Sequence, residues 1–377
     1  MKFTIDTRTF ADALTAASSY AQRANLFNIT TFVYLAVDNG KLTIRSGNSN
    51  TNFIATIPVE DSEDGSLLVA AEKIEGVVSR ITAESVTLER DDAVLRVMPS
   101  AGRKTSVKLA CRDIGDYSAP HVCEDDLYQA VPCAQLADAI SSVICATNRD
   151  NTKPALAGVR IEQSFDDSGK PSLTVIACEG RLLGLNSFEI PAAIPNLTGV
   201  TVPTAFAIKL SGLLKGGNVK IAFKNGKIFV TNGLMRVDSD LLNAQYPNWR
   251  NVIPAEEHKK STTKFSGTEL FESLSLTTVL IDTLSKKTHI SVDDGRMTVA
   301  SSNSNFGEAE QDIAAETDYV GDGEPFTLDF NEQLLKPVIA NLKDTDVILT
   351  VYGGCPNVTF RSVNNSSLFY CVAPMAK

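Results

Sequence analysis

Val37-Asp38-Asn39-Gly40-Lys41-Leu42-Thr43-Ile44-Arg45-Ser46-Gly47-Asn48-Ser49-Asn50 contains a tight turn followed by an alternating strand. Asn39-Gly40 is the dipeptide type that supplies the positive φ angles of a two-residue hairpin. Leu42-Thr43-Ile44 alternates apolar and polar residues with the period of a half-buried strand. The same pattern returns 255 positions later as Asp294-Gly295, Met297-Thr298-Val299 and Asn303-Ser304-Asn305. Between them stands a third, partial copy: Ser168-Gly169, read as another two-residue turn, and then Leu173-Thr174-Val175. Internal repetition therefore organises the chain.

Working outward from each copy, an apolar residue followed five positions later by another precedes a helix. The pairs are Ile5 and Phe10, Val131 and Leu136, Phe265 and Leu270. The buried helical stripes are Phe10, Ala13, Leu14, Ala17, then Leu136, Ala139, Ile140, Val143, and then the more polar Leu270, Ser273, Leu274, Thr277. A second helix is expected over Ala70–Arg80, Pro203–Lys215 and Phe330–Asn341, with Pro203 in a first turn and Pro337 kinking or shortening the third. Second hairpins follow at Asp91-Asp92, Asn225-Gly226 and Gly353-Gly354, and Asp116-Tyr117-Ser118 and Gln245-Tyr246-Pro247 close two of the copies. Six features in one order, three times over, define three α+β modules of about 120 residues. Their expected extents are 1–122, 127–255 and 262–377, with linkers near Ala119–Asp126 and Ala255–Thr263.

Two amphipathic helices per module bury their apolar faces on one side of an antiparallel sheet. Three such modules in tandem can form an arc with sheets outside and helices inside. Self-complementary ends close an arc into a ring by symmetry, and closure pairs otherwise exposed edge strands.

The 377 residues carry a formal net charge of −10 and are 43% hydrophobic and 21% charged. An acidic chain does not grip phosphates tightly, but a ring trapped around DNA needs only a lining that does not repel it. The bases expected on that lining are Lys73, Arg80, Lys209, Lys215, Lys336 and Lys343 from the second helices, diluted by Glu72, Glu75 and Glu332. Arg23 and Arg149 occupy equivalent places beyond the first helices. Seven cysteines without a CxxC pair read as reduced thiols of a cytoplasmic protein. No secretory h-region opens the chain and no apolar run is long enough to span a bilayer, so no membrane role is expected.

Three stretches carry a family resemblance: Met1-Lys2-Phe3-Thr4-Ile5, Tyr246-Pro247-Asn248-Trp249-Arg250-Asn251-Val252-Ile253-Pro254, and Tyr370-Cys371-Val372-Ala373-Pro374-Met375. With the threefold repeat, they resemble the β subunit of bacterial DNA polymerase III over the whole chain. The resemblance implies a DNA sliding clamp, a processivity factor that encircles double-stranded DNA without reading its sequence and tethers the replicative polymerase. It also implies a head-to-tail homodimer, a clamp loader, and replicative and repair polymerases that dock through short linear motifs. The implied peptide pocket is lined by Leu156, Gly180, Leu183, Pro247 and Val252 from module two. Module three adds Asn331, Leu334, Cys355, Cys371, Val372, Pro374 and Met375. The implied dimer contact sets Val107 and Leu109 against Val279 and Leu280 of the second copy. The chain departs from the family pattern at Arg181-Leu182, where a His-Arg pair is usual, at Asn251, where an arginine is usual, and in the ending Ala376-Lys377. Those departures suit a clamp-like paralogue, or a mobile-element clamp substitute with its own partners.

No catalytic residue, cofactor or metal site is expected. His121, His258 and His289 lie apart, no GxxxxGK[ST] loop exists, and Asp61, Glu63 and Asp64 read as a solvated acidic loop. Gly216-Gly217 reads as a helix end before a strand. An extracellular tandem-repeat protein would normally carry a signal peptide and disulfides, and neither is in view.

Overall fold

The structure is a computed structural model and describes residues 1–22, 28–101, 105–115, 127–148, 153–293, 295–321 and 324–376. The first repeat runs β1 Lys2–Asp6, α1 Thr7–Tyr20, β2 Phe32–Asp38, β3 Lys41–Gly47, β4 Thr51–Pro58, β5 Glu60–Glu63, β6 Gly65–Ala70, α2 Ala71–Val78, β7 Ser85–Asp91, β8 Val94–Pro99 and β9 Val107–Arg112. The second has β10 Gln129–Pro132, α3 Cys133–Val143, β11 Gly158–Phe165, β12 Pro171–Cys178, β13 Leu182–Glu189, β14 Val200–Pro203, α4 Thr204–Leu213, β15 Asn218–Lys224, β16 Lys227–Thr231 and β17 Met235–Asp240. The third has β18 Lys259–Ser266, α5 Gly267–Thr277, β19 Lys287–Asp293, β20 Arg296–Asn303, β21 Gly307–Tyr319, β22 Phe326–Asn331, α6 Glu332–Leu342, β23 Asp346–Tyr352, β24 Val358–Ser362 and β25 Leu368–Val372. The order strand, helix, strands, helix, hairpin holds in all three.

The sheets ignore the repeat boundaries. One compact unit comprises Met1–Cys133, Ile194–Asn196 and Gly212–Leu241. Its 13-stranded sheet has the order β10-β15-β16-β17-β4-β3-β2-β6-β9-β8-β7-β1-β5. The other comprises Ala134–Ala193, Leu197–Ser211 and Leu242–Lys377. Its 12-stranded sheet has the order β14-β11-β12-β13-β25-β24-β23-β18-β21-β20-β19-β22. In the first unit the joint is the antiparallel β17–β4 ladder, with Met235 opposite Ala55. In the second it is the β13–β25 ladder, with Leu183 opposite Cys371.

The helices bury the expected stripes except at Ala13, which is only half-buried. Phe10, Leu14 and Ala17 are fully buried on α1, and Leu136, Ala139, Ile140 and Val143 on α3. On α5 the two polar members, Ser273 and Thr277, are buried with Leu270 and Leu274. The Thr277 hydroxyl donates to the Ser273 carbonyl at 2.9 Å, so its burial leaves no donor stranded. Side-chain caps open three helices. Asp6 Oδ1 accepts from Thr9 N–H at 2.7 Å, Ser266 Oγ from Glu269 N–H, and Asn331 Oδ1 from Gln333 N–H.

Several turns differ from their sequence readings. Asn39-Gly40 and Asn225-Gly226 are two-residue turns, with positive φ at all four positions. Asp294 of the Asp294-Gly295 turn lies outside the described residues, as do Asp116-Tyr117-Ser118, the linker residues 119–126 and His121. Ser168-Gly169 is not a two-residue turn. The loop spans 166–170 because Asp166 Oδ1 collects the N–H groups of Ser168 and Lys170, and only Gly169 has positive φ there. The Asp91-Asp92 turn shifts to Asp92-Ala93, with Asp92 left-handed, and Gly353-Gly354 begins a longer loop before β24. Pro203 ends strand β14 rather than opening α4. β14 is the sheet edge, so its missing N–H costs no ladder bond. Pro337 does not shorten its helix, since α6 continues to Leu342 with Leu335, Val338, Ile339 and Leu342 buried around it. The expected linker 255–263 becomes strand from Lys259 onward, and Glu60–Glu63 is an edge strand against β1 rather than a loop.

Candidate functional site

In the second unit, an apolar floor forms where three segments meet the β13–β25 ladder. Ile176, Cys178, Leu183, Tyr246, Trp249, Phe369 and Cys371 make one buried cluster, and Leu156, Leu185 and Ile253 pack against its edge. The Gln245–Val252 segment reaches this floor by inserting Tyr246 and Trp249, which leaves Pro247 and Val252 exposed. Two donors fix the segment. Asn357 Nδ2 donates to the Val252 carbonyl at 2.9 Å and the Cys371 thiol to the same oxygen at 3.4 Å. Arg250 stacks over Trp249 at 4.1 Å and reaches Glu162 at 3.0 Å, while Arg160 holds the other Glu162 oxygen at 3.1 Å. Burial raises the Glu162 carboxyl, but the two arginines outweigh it and hold the group below its usual range.

The tail after β25 forms the opposite edge. Ala373 N–H donates to the Arg181 carbonyl at 2.8 Å and Met375 N–H to the Asp329 carbonyl at 2.7 Å. The tail is thus pinned to the turn around Gly180 (φ +107) on one side and to β22 on the other. Asp329 in turn binds His289 Nδ1 at 2.7 Å and Lys287 Nζ at 3.2 Å. Asn331 caps α6, Leu334 is half-buried on its first turn, and Cys355 is half-buried in the loop before β24. Burial pushes the Cys371 thiol up to about 12, and the neighbouring Cys355 and Cys178 add to the shift.

Of the twelve pocket residues read from sequence, Leu183, Cys371 and Val372 are almost fully buried. Leu183 and Cys371 belong to the floor itself, and Val372, next along β25, faces the other side of the sheet. Leu156, Asn331, Leu334, Cys355, Pro374 and Met375 are partly exposed around it, and Gly180, Pro247 and Val252 are exposed. The sequence reading missed Trp249, Tyr246, Phe369 and the positioning residue Asn357. Trp249 is the only tryptophan of the chain and sits inside the Tyr-Pro stretch, so its composition signal was available.

The profile of the DNA polymerase III beta subunit matches in three parts, its N-terminal domain over residues 1–119, its central domain over 130–248 and its C-terminal domain over 250–376. The chain belongs to the DNA polymerase III beta subunit family. Its function is that of a DNA sliding clamp. The beta sliding clamp of Treponema pallidum is 24% identical over 382 residues, covering 100% of this chain and 99% of the relative. That of Caulobacter vibrioides is 23% identical over 91% of both chains. Among solved structures, the sliding clamp of Bartonella birtlesii bound to griselimycin superposes with a TM-score of 0.89 at 19% identity over 100% of both chains. The beta subunit of Thermotoga maritima gives 0.88 at 18% identity, covering 100% of this chain and 99% of that one. The clamp fold of three tandem domains, each with helices packed on antiparallel sheet, is therefore retained at low identity.

Within that family fold, the basic residues occupy the second helices or the residue or two after them. Lys73 and Arg80 stand seven residues apart, on α2 and just beyond its end, as Lys336 and Lys343 do on α6 and just beyond its end. Lys209 lies on α4 and Lys215 is exposed two residues past its end. Lys336 leans on Glu332 at 3.8 Å and Lys343 lies over the Phe271 ring at 5.7 Å. Arg23 and Arg149 lie outside the described residues. Val107 and Leu109 are half-buried on β9. Their ladder partners are on β8, and on the other side β9 pairs with β6 only through Cys111 and Arg112. Val279 and Leu280 end the turn after α5, with Val279 78% exposed. Among the described residues no group of three or more His, Cys, Asp or Glu side chains forms a metal site, and no helix is long and apolar enough to cross a membrane.

Proposed function

We propose that two copies of this chain join head to tail into a ring around duplex DNA, with module extents 1–122, 127–255 and 262–377, and that the ring acts in the cytoplasm without catalysis of its own. An ATP-driven clamp loader places it on DNA. Replicative and repair polymerases then dock through short linear peptides whose apolar side chains seat over the Trp249–Cys371 floor, between the Val252 segment and the Met375 tail. The observation that carries this reading is the preformed floor itself. It is apolar, bordered by the partly exposed Leu156 and Ile253, and held by fixed hydrogen bonds, which suits a short peptide with apolar anchors. The free side of β9 at 107–110 and the exposed Val279 support the ring contact, since each is an apolar or strand surface in need of a partner. The seven-residue pairs of bases support a helix-lined hole.

The test loads the protein on nicked circular DNA and then linearises the circle. A ring stays on the circle and slides off the linear form, whereas retention on linear DNA points to ordinary binding. Sedimentation equilibrium checks the two-copy assembly, expected at twice the chain mass of 40.5 kDa.

A further inference from the structure

A second groove lies in the other unit, away from the peptide floor. It encloses about 870 Å³, inside the range of about 300–1,000 Å³ typical of preformed ligand sites. Its base is the apolar face of β4, where Phe53 and Ala55 alternate inward, and one wall is the α1 face carrying Ala13 and Ala16. Those two alanines are too small to fill the space beside the sheet. The other wall is the β16–β17 turn with Leu234, which is 67% exposed. This turn is rigid. Asn232 Oδ1 accepts from Leu234 and Met235 N–H, and the Leu234 carbonyl accepts from Thr56 N–H at 2.9 Å. A leucine is thus held in water at the mouth of an apolar groove.

The rim is acidic. Asp6, Asp12, Glu60 and Glu84 line it against one base, Lys215. Asp6 is spent on capping α1, but among the described residues no cation pairs with Asp12, Glu60 or Glu84. Unpaired carboxylates around an apolar trough repel phosphate, so a nucleotide or a DNA strand is the wrong occupant. They attract lysine and arginine. From this complementarity we propose that the groove docks a peptide segment whose leucine or phenylalanine side chains are flanked by basic residues. Apolar anchors would cover Leu234 and the half-buried Ala13 and Ala16, and the flanking cations would neutralise the rim. The groove shares no residue with the Trp249 floor.

Fluorescence anisotropy of the full chain with a labelled decapeptide of leucine, phenylalanine and arginine tests this, beside a counterpart with glutamate in place of arginine. The expected result is saturable binding of the basic peptide only. Leu234→Ser should weaken it about tenfold, and Asp12→Lys with Glu60→Lys should weaken it about tenfold, at unchanged melting temperature. Asp167→Lys with Asp344→Lys changes the net charge by the same amount on exposed sites elsewhere and should leave binding unchanged. Equal binding of the acidic peptide, equal loss with the distant charge reversals, or no saturable binding overturns the proposal. Both Leu234 and the rim carboxylates are exposed, so either variant remains informative if the other fails to fold.

Discussion

Cys371 shows how position in the sheet sets chemistry. Its thiol is raised to about 12 first by burial and then by the thiols of Cys355 and Cys178. A raised folded value means the neutral thiol is the stabilised form. That stabilisation is complete below the ordinary value of 9.0 and is lost as pH rises through the folded value. Iodoacetamide at pH 8 should accordingly label half-buried Cys355 well before Cys371 in the native protein, and peptide mass mapping reads the order. Asp329 runs the other way. Burial raises it, but His289 and Lys287 outweigh burial and leave it below the ordinary 3.8. Its contribution is present above 3.8 and disappears as pH falls through the lowered value. The urea midpoint should therefore drop less between pH 5 and pH 3 in Asp329→Asn than in the parent chain. Arg181 and Asn251, where the family pattern carries other residues, both sit exposed at the pocket margin, and Asn251 accepts a bond from Asn248 at 3.1 Å. Neither belongs to the buried floor.

Helices and the two Asn-Gly turns were the most legible elements, because their signals are local. The stripe Phe10, Leu14, Ala17 marks α1 and its buried face in one step, whereas the caps Asp6, Ser266 and Asn331 came to view only in the structure. Leu14→Ala should cost about 2–5 kcal/mol, as large-to-small changes at fully buried sites do, and chemical denaturation measures it. Gly40→Ala should cost about 1 kcal/mol from its φ of +73 alone, because nothing lies within 4 Å of an added Cβ. Where local signals misled, a competing interaction explains it. Asp166 gathered N–H groups and lengthened the Ser168-Gly169 turn, and packing carried α6 through Pro337. At the joint of the second and third repeats, the Tyr370 hydroxyl donates to the Ser142 carbonyl at 2.6 Å and Asn341 Nδ2 donates to the same carbonyl at 2.8 Å. Tyr370→Phe removes a buried bond and should cost about 1–2 kcal/mol, again read by denaturation.

Each of the two large sheets is continuous only because a strand of one repeat pairs with a strand of another, β17 with β4 and β13 with β25. β25 is central, paired to β13 on one side and β24 on the other. Removing 368–377 should unfold the second unit, whereas removing only 376–377 should not, and a thermal melt with limited proteolysis distinguishes them. For the assembly, Val279→Asp places a charge on an exposed apolar end and should shift sedimentation toward the single chain without lowering the melting temperature. The linear order of residues was enough to define the threefold repeat, the helix faces, the two Asn-Gly turns and the family. Those features depend on residues within a few positions of each other or on direct comparison of repeats. Folding alone decided which strands share a sheet and which pocket residues are floor or rim. A period of two says which side of a strand faces inward, but it does not name the partner at its edge. Leu183, Cys371 and Val372 look the same in sequence as Val252 and Met375. They are buried because they stand on the β13–β25 ladder in the middle of the sheet, where Tyr246 and Trp249 pack against Leu183 and Cys371.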